Sequence, residues 1–270
     1  MITFGYADTP LGQIHYASCG TGEPVLLLHQ TPRSWDEYRE VLPLLGRTRR
    51  AVAMDTLGFG NSARPREHSI EAYAAGVLAL MDALELPSAA VAGHHTGGVV
   101  AVEVAARAPE RVTALVLSST PMIDQEGRRR RADRPSIDAV REQSDGSHLA
   151  DLWNRRGPYY PWPLLNRFVR DALTVLPEIE RGHEAVAAYR MEERVGLIRC
   201  PVLCVGADAD PFAFPELERL AAALPHSSQA VIKGGVIPLE HQATEFATLV
   251  ENFLDTPAAR APGSQPAPGQ

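Results

Sequence analysis

Apolar residues run through this chain in short blocks, separated by stretches with helical spacing. The block Pro24-Val25-Leu26-Leu27-Leu28-His29 has no polar alternation, as expected of a strand covered by helices on both faces. Arg50 to Asp55, Ala89 to Ala92, Ala114 to Ser118, Val202 to Val205 and Gln229 to Ile232 read as further strands. Two opening strands, Ile2 to Tyr6 and Gln13 to Ser18, flank the turn Thr9-Pro10-Leu11-Gly12. Helices are predicted at Trp35 to Leu45, Ile70 to Leu86, Gly98 to Arg107, Pro215 to Leu224 and Gln242 to Leu254. Strands alternating with helices define an α/β class: an eight-stranded, mostly parallel sheet with helices on both faces.

The rhythm breaks between Met122 and Val195, a stretch rich in Arg, Pro and aromatic residues. Inserted after the sixth strand, it reads as a helical cap over the carboxyl edge of the sheet, where open α/β sheets bind ligands. The expected organisation is a core of residues 1–121 and 196–254, a cap of 122–195 and a disordered tail of 255–270. The tail is Pro-, Gly- and Ala-rich, too poor in apolar side chains to pack.

Composition narrows the function. With 270 residues and 45% hydrophobic content the chain can bury one substantial core. A net charge of -7 argues against nucleic acid or an anionic membrane as partner. The cluster Arg128-Arg129-Arg130-Arg131 with Arg134 reads as a solvated helix start beside Asp124 and Glu126, with an anion site as the alternative. Three cysteines without metal-type spacing, and no apolar run of membrane-span length, lead to the expectation of a cytoplasmic protein.

Three motifs carry a resemblance. Leu28-His29-Gln30-Thr31-Pro32 follows the third strand, and Asp55-Thr56-Leu57-Gly58-Phe59-Gly60-Asn61-Ser62 follows the fourth. Gly93-His94-His95-Thr96-Gly97 links a strand to a helix through a glycine-flanked turn, the frame of G-x-S-x-G. In that order the chain, over about residues 1 to 254, resembles the α/β-hydrolase superfamily. The likeness is to its capped branch of haloalkane dehalogenases, epoxide hydrolases and C–C bond hydrolases. The resemblance implies a nucleophile at position 95, an acid after the seventh strand and a histidine after the eighth. This chain has His95 at the first position and Asp210 at the second, with Asp208 as the alternative acid. Gly235, Pro238 and Phe246 keep the register of the last motif, which puts Val236 where the histidine belongs. His241 is close by as a displaced alternative.

An acyl-serine or aspartyl-ester mechanism at the elbow is therefore excluded by composition. Ser118, Ser119 and Thr120, which end the sixth strand, read as packing or capping residues. An imidazole is longer than a serine hydroxyl and Val236 smaller than a histidine, so His95 is expected to reach Asp210 and form a general acid/base dyad. The backbone N–H groups of Gln30 and Thr96 are the expected oxyanion hole. His29, His94 and Trp153 are possible substrate contacts, and Tyr159, Tyr160 and Trp162 share the choice between pocket lining and lid core.

The reading is an enzyme acting on a small carbonyl compound: an ester, a lactone or an activated carbon–carbon bond. Two alternatives stay open, a cofactor-free lyase, isomerase or cyclase, and a non-catalytic protein that binds a small ligand. No metal is expected, since there is no H-E-x-x-H, and no cofactor, since the glycines make no dinucleotide fingerprint. These motifs encode neither the substrate's identity nor the oligomeric state.

Overall fold

A computed structural model describes residues 1–132, 138 and 140–260. The strands are β1 (Thr3–Thr9), β2 (Gly12–Cys19), β3 (Pro24–Leu28), β4 (Arg50–Met54), β5 (Ala89–His94), β6 (Val112–Ser118), β7 (Val202–Ala207) and β8 (Ser227–Ile232). They form one sheet in the order β1-β2-β4-β3-β5-β6-β7-β8. The β1–β2 and β2–β4 pairs are antiparallel and all pairs from β4 to β8 are parallel. The eight-stranded α/β architecture expected from the sequence is the one observed. The central strands are buried along nearly their whole length, which is why their sequences lack polar alternation.

Helices α1 (Leu42–Leu45), α2 (Ile70–Ala83) and α3 (Thr96–Arg107) precede the insertion, and α8 (after the insertion) spans Leu217–Ala223. Within the insertion are α4 (Gln125–Ala132), α5 (Ser147–Arg156), α6 (Trp162–Leu173) and α7 (Leu176–Ala188). The chain continues through α9 (Pro238–His241), α10 (Ala243–Leu254) and α11 (Pro257–Arg260). The helix predicted over Trp35 to Leu45 is divided into a 3-10 turn, Trp35–Tyr38, and α1. Pro43 has no N–H with which to continue a helix from the preceding turn. The single helix predicted from Gln242 is likewise preceded by the separate turn α9.

The insertion packs on the loops at the carboxyl ends of the strands. A side chain at Gly182 of α7 would collide with Phe59 and Thr31, and the ring of Tyr159 meets Phe212 at 5.3 Å. Within the arginine cluster, Arg128 meets Glu192 at 2.5 Å and Arg130 meets Glu216 at 3.0 Å, an acid-neutralised surface. Arg134 lies outside the described residues. The segment expected to be a disordered tail begins with a helical turn, α11, whose Ala259 is buried; residues 261–270 lie outside the description. Among the described residues no helix is long and apolar enough to cross a membrane.

Candidate active site

β5 ends at His94 and α3 begins at Thr96, so His95 alone makes the turn. Its backbone sits at φ 45° and ψ -113°, a region that residues with a Cβ rarely occupy. The flanking glycines make this possible. A Cβ on Gly97 would lie 1.9 Å from the Leu28 carbonyl oxygen, and one on Gly93 2.2 Å from the Gly97 carbonyl. Glycine at both positions lets α3 press against the end of β3.

The His95 ring extends from this turn to Asp210. Nε2 lies 3.0 Å from Oδ2, and the ring N–H is off the line of a well-formed hydrogen bond. The other carboxylate oxygen, Oδ1, accepts the Phe212 N–H at 2.8 Å. Burial alone would raise the Asp210 pKa; His95 and the backbone N–H groups outweigh it and hold the carboxyl below its ordinary value. Asp208, the alternative acid, is exposed and accepts the Gly234 N–H instead. With Nε2 the nitrogen that lies against the carboxylate, a proton on it leaves Nδ1 with the lone pair for chemistry. The His95 side chain is 19% exposed, whereas that of Asp210 is fully buried.

The expected oxyanion hole needs correction. The Gln30 N–H donates to Oε2 of Glu37 at 2.9 Å, and its side-chain Nε2 donates to Oε1 at 2.6 Å and to the Tyr160 hydroxyl at 3.2 Å. Polar oxygens buried this deeply need donors, and Glu37 occupies the Gln30 N–H that was expected in the oxyanion hole. The next N–H in the loop, that of Thr31, meets no acceptor among the described residues, and neither does that of Thr96 at the start of α3. The loop and the helix abut, since Gly97 packs on the carbonyls of both Leu28 and His29. Of the two expected donors, Thr96 keeps its N–H open and Gln30 does not; the Thr31 N–H beside it is open as well. Nothing in the sequence distinguished Thr31 from Gln30, because the competitor, Glu37, reaches the loop only through the fold.

Three possible substrate contacts also move. His29 uses both ring nitrogens, Nδ1 toward the Gln30 carbonyl at 2.8 Å and Nε2 accepting from the Thr56 N–H at 3.0 Å, and so ties the two loops together. His94 is fully buried behind the turn, with Nδ1 3.1 Å from the Ser118 hydroxyl and its ring edge-on to His95 at 4.6 Å. Burial, with His95 and Arg33 nearby, pushes its pKa well down, so this ring is neutral. Trp153 lies on the exposed side of α5, 38% accessible, and no hydrogen bond or ring contact joins it to the dyad. Two described aromatics of the insertion come close to the site: Tyr160, buried with its hydroxyl accepting from Gln30, and Tyr159, packed on Phe212 beside Asp210.

Behind the loop, Arg33 is buried among carboxylates, 3.0 Å from Asp171 of α6, 2.9 Å from Glu240 of α9, 3.5 Å from Asp36 and 3.8 Å from Glu37. This cluster joins the insertion to the oxyanion loop. Burial pushes Glu37 up to about 8 against the pull of Arg33, and Glu240 rises for the same reason. Among the described residues no group of three or more His, Cys, Asp or Glu could hold a metal ion.

A strained strand–turn–helix elbow on a mostly parallel sheet defines the class, and comparison with known families agrees. Residues 23–173, more than half of the chain, match the alpha/beta hydrolase fold family, and the chain belongs to it. The 2-hydroxy-6-oxo-2,4-heptadienoate hydrolase of Pseudomonas putida is 35% identical over 122 residues, 43% of this chain and 42% of that one. Haloalkane dehalogenase 2 of Mycobacterium tuberculosis is 36% identical over 115 residues, covering 42% and 40% of the two chains. Bifunctional epoxide hydrolase 2 of Mus musculus is 31% identical over 127 residues, 45% of this chain and 23% of that one. The chain thus spans less than half the length of these relatives. Among solved structures, the enol-lactonase of Burkholderia xenovorans LB400 superposes with a TM-score of 0.75 at 22% identity, covering 93% of this chain and all of the other. A bromoperoxidase of Bacillus anthracis does so with a TM-score of 0.80 at 20% identity over 94% and 100%. At such identity the likeness is one of fold.

Proposed function

We propose that this chain is an enzyme acting on a small carbonyl compound, hydrolysing an ester, a lactone or an activated carbon–carbon bond. His95 and Asp210 are its general acid/base pair, and no acyl-serine intermediate forms. The observation that carries this reading is the 3.0 Å approach of the His95 ring, on a strained elbow, to a buried aspartate. Relatives named for action on a small molecule, a heptadienoate, a haloalkane and an epoxide, support it.

In the proposed reaction a water molecule gives one proton to Nδ1 of His95 as its oxygen bonds to the carbonyl carbon. Asp210 stabilises the imidazolium. Negative charge on the former carbonyl oxygen is met by the N–H groups of Thr31 and Thr96 and by the positive end of α3. The leaving group departs with the proton from His95. The helices of residues 122–195 act as the cap, with Tyr160 closing the site above Gln30. The same proposal puts the protein in a reducing, cytoplasmic compartment, where its three buried cysteines stay as free thiols.

The test is turnover of a panel of lactones and activated aryl esters in water enriched in heavy oxygen. His95→Ala should lower kcat by about 100- to 10,000-fold, and product from the unmodified protein should carry solvent oxygen. Full activity in His95→Ala ends the proposal. Product without solvent oxygen moves the assignment to lyase or isomerase chemistry, and binding without turnover moves it to a binding role.

A further inference from the structure

β1 is the outermost strand of the sheet, so only one of its edges is paired. It matches β2 residue for residue from Thr3 to Thr9. Which of its backbone groups face outward follows from His15, the partner of Tyr6. The His15 N–H donates to the Ser62 hydroxyl at 3.0 Å and its carbonyl accepts the Asp55 N–H at 2.9 Å, both on the side away from β1. Tyr6 and His15 are therefore a non-hydrogen-bonded pair of the antiparallel ladder, and alternation extends this to Phe4 and Asp8. The N–H and C=O groups of Phe4, Tyr6 and Asp8 point out of the sheet edge, and among the described residues nothing bonds to them.

Open edges are ordinarily guarded by charge, proline or a bulge. From Thr3 to Ala7 this edge has none of the three. Instead Phe4 is 59% exposed and Tyr6 56%, side by side on one face. Both rings are already held: Phe4 lies edge-on to Trp35 with centroids 4.8 Å apart, and Tyr6 packs on His15 at 4.9 Å. Rings fixed before contact lose little conformational entropy on docking. Beside the end of the strand, Pro10 and Leu11 with Ala75, Leu78 and Ala79 of α2 line a groove of about 470 Å³. The sheet's other edge differs. β8 opens with Ser227-Ser228-Gln229 and exposes one large apolar side chain, Val231.

We propose that β1 is a homodimer interface, pairing antiparallel with β1 of a second copy about a two-fold axis at Tyr6 and continuing the sheet through both chains. The occupant is a second copy because the edge complements itself. With Tyr6 opposite Tyr6, every outward N–H meets a carbonyl, and Phe4 falls opposite Asp8 of the second copy. The strand's one charge is thereby kept from its like: the two Asp8 residues are four positions apart along the strands, about 14 Å. The same register runs Met1 of the second copy, a fully exposed apolar side chain, alongside Leu11 and the groove. The two Tyr6 rings become cross-strand neighbours, a favourable aromatic pair.

The test is sedimentation of the full chain across micromolar concentrations, where the parent should pass from monomer to dimer. Tyr6→Lys sets two like charges on the axis and should abolish association with the circular dichroism spectrum unchanged. Tyr6→Pro removes an N–H that bonds nothing within the chain and should do the same. Tyr6→Cys should link two chains on mild oxidation, since paired α-carbons about 5.5 Å apart suit a disulfide. Asp8→Cys should not, and the three native cysteines are buried. A parent that stays monomeric throughout overturns the inference. So does a dimer that persists in folded Tyr6→Lys or Tyr6→Pro, or cross-linking of Asp8→Cys as complete as that of Tyr6→Cys. None of these outcomes bears on His95, so the functional reading is tested separately.

Discussion

The backbone N–H of Val236 donates to Nδ1 of His241 at 3.2 Å, so the residue in the family's base position holds a histidine five places further on. That bond puts the His241 proton on Nε2, which is buried with no partner, and burial lowers the ring's pKa. His241 is thereby a neutral group beside Tyr160, whose ring lies 6.3 Å away, rather than a second base on Asp210. Substitution separates the two histidines. His241→Gln is expected to retain kcat within about tenfold, against the far larger loss from His95→Ala. Equal losses in the two variants would reassign the base.

In the proposed mechanism Asp210 acts through the His95 ring beside it. Asp210→Asn keeps the shape and removes the charge that fixes the Nε2 proton, so kcat should fall by about 100-fold or more with a smaller change in KM. The carboxyl is held below its ordinary pKa, so its stabilising effect is complete above the unfolded value of about 3.9 and is lost as pH falls through the folded value. Acid unfolding followed by circular dichroism should start at lower pH in the asparagine variant, once its stability at pH 7 is matched. An identical acid limb in both proteins would contradict the assignment.

Strain at the elbow is separable from chemistry. His95→Gly and His95→Ala both remove the ring, but glycine accepts a φ of 45° and alanine does not. The glycine variant should be the more stable by about 1 kcal/mol in urea melts, with both inactive.

Glu37 gives the opposite pH signature to Asp210. Burial pushes its carboxyl up to about 8 in the folded chain, whereas unfolded it titrates near about 4.3. The native state therefore holds a proton that the unfolded state has released, and stability falls as pH rises from about 4.3 toward 8. Glu37→Gln removes this proton uptake. Its urea midpoint should fall less steeply between pH 5 and 8 than that of the parent; an unchanged slope would place the proton on Glu240 instead.

Close approach at the elbow leaves no room for a methyl group. Gly97→Ala would set a Cβ 1.9 Å from the Leu28 carbonyl oxygen, and backbone has to shift to admit it. A loss of about 1–3 kcal/mol in thermal or urea unfolding is expected, along with activity. Gly196→Ala, with nothing within 4 Å of the added atom, is the matched control.

Strand positions and the elbow frame were legible in the chain because each depends on local pattern. Continuous apolar runs mark doubly covered strands, and glycines at 93 and 97 mark a turn pressed against its neighbours. The division of the helix after Trp35 was missed although its cause, Pro43, is in the sequence; the ion pairs of Asp36 and Glu37 with Arg33 and Arg167 form only in the fold.

Contacts between segments far apart in sequence had no local signature. Glu37 takes the N–H of Gln30 and leaves Thr31 open; Tyr160 arrives from the insertion; His241 is turned inward by Val236. Sequence by itself determined which side chains stand at the sheet's carboxyl edge. Which of them meet was decided by tertiary structure, because burial forces each polar atom to find its partner among neighbours that only the folded chain supplies.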